Sequence, residues 1–278
     1  MNEKINHFSL FTATLVLVSM LSSCQKSDRS SEMDIKTSRE YLIAEVMFND
    51  VFKQIHTVAI QDSLKGTTLV NDIPTCAKEV TVETTLGEFP KTLTLDFGKR
   101  NKLCDDGRKR RGKIIAVFNQ QYPELFSSAK ITTDDYYIDN FKLEGQKSIR
   151  VAGLNGESGL IYAVDDNDVI ITKKTTHKIF WTSSKTITWL EGVSTFDSSD
   201  DVFSISKNNF SGTATQGNSF SGKVIEEMRL ASSCNWIVSG TVQLTPNNLS
   251  PRTIDFGNSC SNEVEISYLG NSKTIAAH

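Results

Sequence analysis

The sequence predicts a mainly β protein: an N-terminal amphipathic helix followed by two antiparallel β-sandwich or meander units, each with one disulfide. Three observations carry this. From about residue 72 onward, short stretches rich in Val, Ile, Thr and aromatic residues alternate with Gly, Asn and Asp clusters, the pattern of strands joined by turns. A single segment, from 37 to about 62, repeats its apolar residues at intervals of three and four. Finally, the phrase "TLDFGKRNKLC" at 94–104 returns near the C-terminus as "TIDFGNSC" at 253–260.

The helix comes first, within 34–66. Thr37-Ser38-Arg39-Glu40 fits a capping box, in which hydroxyl and carboxylate each satisfy a free backbone N–H. Tyr41, Ala44, Phe48, Val51, Ile55 and Val58 then form a stripe that Met47, Phe52 and Ala59 widen. So broad a face packs on a sheet rather than on one partner helix, and Gly66 provides a stop. Strands are expected at 80–85, 92–97 and 113–118. A hairpin of 136–143 with 148–152 would turn at 144–147, and one of 160–164 with 169–172 would turn at 165–168. Further strands are expected at 179–182, 186–190, 202–206, 210–215, 220–225, 236–242, 252–256 and 263–268. A division near Thr175 gives a first β unit at 72–174 and a second at 175–278, with a shared sheet left open.

Within the repeated phrase, Leu93, Leu95 and Phe97 share one strand face while Thr92, Thr94 and Asp96 share the other; Ile254 and Phe256 oppose Thr253 and Asp255 likewise. Gly98 and Gly257 end the strands where a positive φ is needed. Asp96 and Asp255 read as outward polar residues or turn acceptors in preference to metal ligands or catalytic acids. Four cysteines bracket the two phrases. Cys76 and Cys104 are 28 apart, Cys234 and Cys260 are 26 apart, and each pair encloses one copy. We therefore expect Cys76–Cys104 and Cys234–Cys260 disulfides. No Cys-x-x-Cys occurs, which argues against redox or zinc chemistry.

The fifth cysteine belongs to the N-terminus. Residues 1–7 are polar with Lys4, and 8–21 are mostly apolar and uncharged, within the span of a secretory signal and too short to cross a bilayer. Leu21-Ser22-Ser23-Cys24 looks like a bacterial lipobox, so 1–23 reads as a lipoprotein signal peptide and Cys24 as the lipidated first mature residue. Residues 24–33 have little apolar content and read as a flexible tether. Two or three acyl chains hold a protein to a membrane where one does not. The expected location is the outer membrane, lipid-anchored, facing the periplasm or the cell exterior. The opening Cys24-Gln25-Lys26 resembles a surface-export tag, although Ser27 replaces its first acidic residue.

Several segments together resemble a group of uncharacterised Bacteroidota outer-membrane and surface lipoproteins. They are Phe48-Asn49-Asp50-Val51-Phe52, "TLTLDFGKRNKLCDDGRKRRGKI", "YYIDNFKLEG", "WLEGVSTFDSSDDVFSISKNNFSGTA" and "CNWIVSGTVQL…RTIDFGNSC". The resemblance implies a location and an architecture, but no established activity and no functional residues.

Candidate chemistry concentrates at 99–113, "KRNKLCDDGRKRRGK". Lys99, Arg100, Lys102, Arg108, Lys109, Arg110, Arg111 and Lys113 stand against only Asp105 and Asp106, a candidate site for phosphate, sulfated or uronic glycan, or lipopolysaccharide. No aromatics interleave, so nucleic acid is not expected as a partner. Asp165-Asp166-Asn167-Asp168 lacks the glycine and distal glutamate of a calcium loop and reads as a polar turn, as do Asp197, Asp200 and Asp201. Tyr136, Tyr137, Tyr162, Trp181 and Trp189 could stack on sugars, but Trp189 and Trp236 sit in core patterns. The mature part carries only His56, His177 and His278, with no nucleophile elbow, zinc helix or phosphate-cradling loop. No catalytic residue, metal or cofactor is assigned. The expected function is a non-enzymatic envelope binding or scaffold module, partnered with the membrane through Cys24 and with a glycan or another envelope protein. A surface glycan hydrolase using a carboxylate pair, or a structural subunit of a surface assembly, is the alternative.

Overall fold

The structure, a computed structural model, describes residues 35–61, 75–85, 88–156, 159–174, 176–195 and 197–277. The expected signal peptide at 1–23, Cys24 and the expected tether to 33, together with Gly66, Thr175 and His278, lie outside the described residues.

The chain enters as helix α1 (Lys36–Ile60) and then lays down strands in order: β1 (Glu79–Thr85), β2 (Glu88–Asp96), β3 (Lys102–Leu103), β4 (Lys109–Phe118), β5 (Ser128–Ile138), β6 (Phe141–Asn155) and β7 (Gly159–Lys173). They continue as β8 (His177–Glu191), β9 (Val202–Thr213), β10 (Ser219–Ala231), β11 (Ile237–Pro246), β12 (Arg252–Asn258), β13 (Glu263–Tyr268) and β14 (Asn271–Ala276). All 14 belong to one antiparallel sheet whose order follows the chain, with β3 a short side pairing on β4. The connectivity is a meander. Residue 175 does not interrupt it, since β7 and β8 on either side pair from Leu160↔Trp189 to Lys173↔His177.

The sheet curls around α1. Tyr41 stacks on Phe210 of β9 at 4.4 Å, Phe52 meets Tyr162 of β7 and Phe203 of β9, and Asp50 is salt-bridged to Arg110 of β4. Inward strand faces supply the core by simple alternation. On β8 these are Ile179, Trp181, Ser183, Lys185, Ile187 and Trp189, all buried. The capping box does not form. Thr37 Oγ1 finds no hydrogen-bond partner, and the Glu40 carboxylate instead accepts the Thr215 N–H at 2.7 Å.

Neither expected hairpin turns where predicted: the chain turns at Asp139–Asn140, between β5 and β6, instead of at 144–147, and 160–172 is one bulged strand. β6 runs straight through Glu144–Lys147, shifting register at Gly145 (φ +122°), and β7 runs through 165–168, where Asp168 takes φ +50°. A bulge uses the same positive-φ residues as a turn. Asp166 is no turn residue: it is fully buried and ion-paired to Lys147 at 2.6 Å. Asp201 is buried as well, accepting the Trp189 Nε1–H at 3.0 Å.

The repeated phrase is a repeated supersecondary unit. β1-β2-β4 and β11-β12-β13 are each a three-strand meander, and each disulfide joins the approach to the first strand to the turn that leaves the second. The bonds are Cys76–Cys104 and Cys234–Cys260. Asp96 Oδ1 accepts the Gly98 N–H and Asp255 Oδ1 the Gly257 N–H, both at 2.7 Å. The two glycines sit at φ +84° and +74°. Phe97 and Phe256 are buried. The phrase thus spells an inward anchor followed by an aspartate-stapled turn.

Candidate functional site

The basic run at 99–113 does not act as one surface, because folding divides it. Arg110 is fully buried and clamps two carboxylates: Nη2 donates to Asp50 Oδ1 at 2.6 Å, while Nη1 and Nη2 donate to Asp106 at 2.9 and 2.6 Å. Arg108, also buried, donates to Asp139 and to the Asn235 carbonyl, with its guanidinium 4.9 Å from the Trp236 ring centroid. Lys102 is turned to the Cys76 carbonyl at 3.0 Å, and Lys109 is exposed outside both concavities described below. Arg108 and Arg110 are therefore structural cations, removed from the anion-binding set by strand alternation and by facing carboxylates.

The remaining four come together. Lys99, Arg100, Arg111 and Lys113 line a groove of about 770 Å³, joined by Lys78, with Asp96, Asp134 and Asp135 among them. β2 and β4 stay zipped past the end of the strand, through Phe97 N–H to the Gly112 carbonyl at 2.9 Å and Gly112 N–H to the Gly98 carbonyl at 2.8 Å. Gly112 is required here. A Cβ on it would lie 2.1 Å from the Asp135 carbonyl oxygen, so only glycine lets the β5 bulge press against β4. Lys113 is 3.4 Å from Asp96, and Arg111 lies over the Tyr137 ring at 3.5 Å while donating to Asn101. Lys78, Lys99 and Arg100 are exposed and make no ion pair or side-chain hydrogen bond to another described residue. Five cations against three carboxylates leave the groove net positive.

A second concavity, a cleft of about 420 Å³, lies where the two disulfide loops meet over α1. Asn235 Nδ2 donates to the Asp106 carbonyl at 2.6 Å, and Lys53 Nζ to the Cys234 carbonyl at 2.6 Å. Burial, only partly countered by Asp50, lowers the Lys53 ammonium to about 8. Burial alone would raise the Asp106 carboxyl, but the Arg110 hydrogen bonds and charge hold it below its usual value. No aromatic side chain lines this cleft among the described residues.

No protein-family model, curated protein or solved structure matches this chain. The reading of the site therefore rests on its own residues. The aromatics that could have stacked on sugars are mostly consumed elsewhere: Tyr136, Tyr162, Trp181 and Trp189 are buried, and Tyr137 lies beneath Arg111. Trp236 is half-buried and serves as the shelf for Arg108 rather than as a core residue.

The sequence reading missed an ionic cluster within the fold. Lys185 of β8 donates to Glu45 of α1 at 2.6 Å and to Asn49 at 3.2 Å; Asn208 of β9 donates to Glu45 at 3.0 Å; Ser183 donates to Asp166 at 2.6 Å. Burial would raise the Asp166 carboxyl, yet Lys147 and Lys185 hold it below its ordinary value. The signal was present as a polar stripe, Glu45, Asn49, Lys53 and His56, along one face of the helix. His56 continues it at the far end, its Nδ1 2.7 Å from Tyr122 Oη and its Nε2 3.5 Å from Asp201. Among the described residues no group of three His, Cys, Asp or Glu is placed to hold a metal ion.

Proposed function

We propose that the protein is a lipid-anchored, non-enzymatic binding module of the cell envelope, held at the outer membrane through Cys24, and that its groove on β2, β4 and β5 receives an anionic ligand. The observation that carries this reading is the convergence of Lys78, Lys99, Arg100, Arg111 and Lys113 on one open groove, three of them without an internal partner. Lysine and arginine left uncommitted in a concave site concentrate potential where an anion enters. The flanking carboxylates favour a ligand with spaced negative groups, such as a uronic or sulfated glycan, because dense charge would press against Asp134 and Asp135. The cleft's carboxylates give the hydrolase reading little support. Arg110, paired with both Asp50 and Asp106, holds the Asp106 carboxyl below its usual value, whereas a glycosidic general acid must keep its proton.

The test uses the soluble fragment from Ser27 with polygalacturonate as the anionic probe and dextran as the neutral control. Binding to polygalacturonate is expected to weaken steeply with salt and to fall at least about tenfold in the Lys78→Ser/Lys99→Ser/Arg100→Ser variant. Cys24→Ser is expected to move the full chain from the membrane pellet to the soluble fraction. Binding left unchanged by the triple substitution would remove the groove as the site.

A further inference from the structure

α1 is enclosed almost completely, and the exception points to a ligand. From Tyr41 to Ile60 every residue is buried except Gln54 and Thr57. Both line the cleft between the disulfide loops, so this cleft is the window through which solvent reaches the middle of the helix. Neither side chain bonds to another described residue. On a helix whose Glu45, Asn49, Asp50, Lys53 and His56 are paired with strands and loops, an amide and a hydroxyl left open at i and i+3 face the same space.

The walls around them are rigid and polar. The Arg110 clamp and the Lys53 contact to the Cys234 carbonyl fix one side, and both disulfides fasten the loops that form it. Ser232 Oγ, buried without a hydrogen-bond partner, belongs to the same lining, as does Asp105, an exposed carboxylate with no ion pair. Apart from the Cys76–Cys104 bridge every described lining residue carries a polar side chain, so a ligand able to hydrogen-bond gains most by entering. Cationic Lys53 and Arg110 are matched inside the wall by Asp50 and Asp106, which leaves Asp105 and Asp197 as surplus negative charge against an anion. A volume of about 420 Å³ lies in the range of small-molecule sites.

We propose that this window is a second ligand site, independent of the basic groove, and that it takes a neutral, hydroxyl-rich molecule of one or two sugar rings. Gln54 offers the donor and acceptor of an amide, Thr57 and Ser232 offer hydroxyls that can do both, and Asp105 accepts from ligand hydroxyls. Burial of so many open polar groups against a ligand lacking complementary hydroxyls would leave them unsatisfied, which is the source of selectivity.

Ligand-observed saturation-transfer NMR on the full chain in detergent micelles tests this, with cellobiose and chitobiose as neutral probes and digalacturonate as the anionic one. At least one neutral disaccharide is expected to give a saturable signal. Gln54→Ala, Thr57→Val and Asp105→Asn are each expected to weaken it by about tenfold, the value of one to two hydrogen bonds. Lys99→Ser/Arg100→Ser should leave it unchanged. Asp105 lies on the exposed rim, so its substitution reads binding without risk to folding. Absence of binding by both neutral probes would overturn the proposal, and so would binding that survives all three cleft substitutions or is lost on substituting the groove.

Discussion

Lys53 shows what a single side chain reports about its surroundings. Its ammonium donates to the Cys234 carbonyl at 2.6 Å, yet burial lowers it from an ordinary 10.5 to about 8. Between those values the unfolded chain binds one more proton than the folded one, so stability rises with pH through that window and the full handicap remains below pH 8. The whole difference is worth roughly 3 kcal/mol. Burial raises Tyr41, Tyr122, Tyr136 and Tyr162, which pull the other way once unfolded tyrosines begin to ionise near pH 10. Lys147, also lowered by burial, contributes alike to parent and variant, so the difference between the two in urea unfolding at about pH 7.5 and 9.5 isolates Lys53. The parent protein should gain about 1–2 kcal/mol on Lys53→Met over that interval. Parallel pH dependences for parent and variant would mean that Lys53 stays charged throughout.

At the scale of elements, the legible part of the sequence was whatever repeats with a period. The 3.6-residue apolar stripe marked α1, and the alternation in 92–97 and 252–256 set the inward faces of β2 and β12. The bulges were misread because Gly145, Asp168 and their neighbours carry the same residue chemistry as a hairpin turn; only strand pairing on both sides tells the two apart. The fate of the basic run was equally hidden, since it depends on which facing residue is a carboxylate. The polar stripe of α1 escaped notice for a related reason: Glu45 and Asn49 suggest a solvated face until β8 and β9 supply Lys185 and Asn208. Breaking a buried ion pair by removing one partner costs far more than replacing both partners with apolar residues. Lys185→Met should cost about 3–5 kcal/mol by leaving Glu45 unpaired, whereas Glu45→Met/Lys185→Met should recover at least half of that loss. Denaturation midpoints of the two variants decide it; a double variant no more stable than the single one would show the carboxylate to be indispensable for other bonds, those from Asn49 and Asn208.

For the whole molecule, the two copies of the phrase lie toward opposite margins of a 14-stranded sheet, yet the turn after the first copy meets the approach to β11, the segment that the second disulfide ties to the other copy. Asn235 bonds the Asp106 carbonyl, Arg108 bonds the Asn235 carbonyl and covers Trp236, and Lys53 reaches Cys234 from the helix. The disulfides tie each turn to its own meander, and by chain entropy each is worth roughly 3–4 kcal/mol for closing a loop of 28 or 26 residues. The contacts of Asp106 and Arg108 with Asn235 and Trp236 tie the two margins together. Neither half of the sheet has a core of its own, because α1 supplies Phe52 to Tyr162 of β7 and Phe203 of β9, and Tyr41 to Trp181 of β8 and Phe210 of β9. Residues 36–278 should accordingly unfold as one cooperative unit, although the sequence repeats like a two-part protein. Intrinsic fluorescence reports Trp181 and Trp189 in the middle of the sheet and Trp236 at the meeting of the loops, while far-ultraviolet dichroism reports all strands together. With the disulfides intact, the two signals are expected to trace a single urea transition. Breaking the bridge between the margins by Arg108→Ala should lower that transition without splitting it, because α1 remains common to both halves. Two resolved transitions in the parent protein would mean that each meander carries enough buried surface to stand alone.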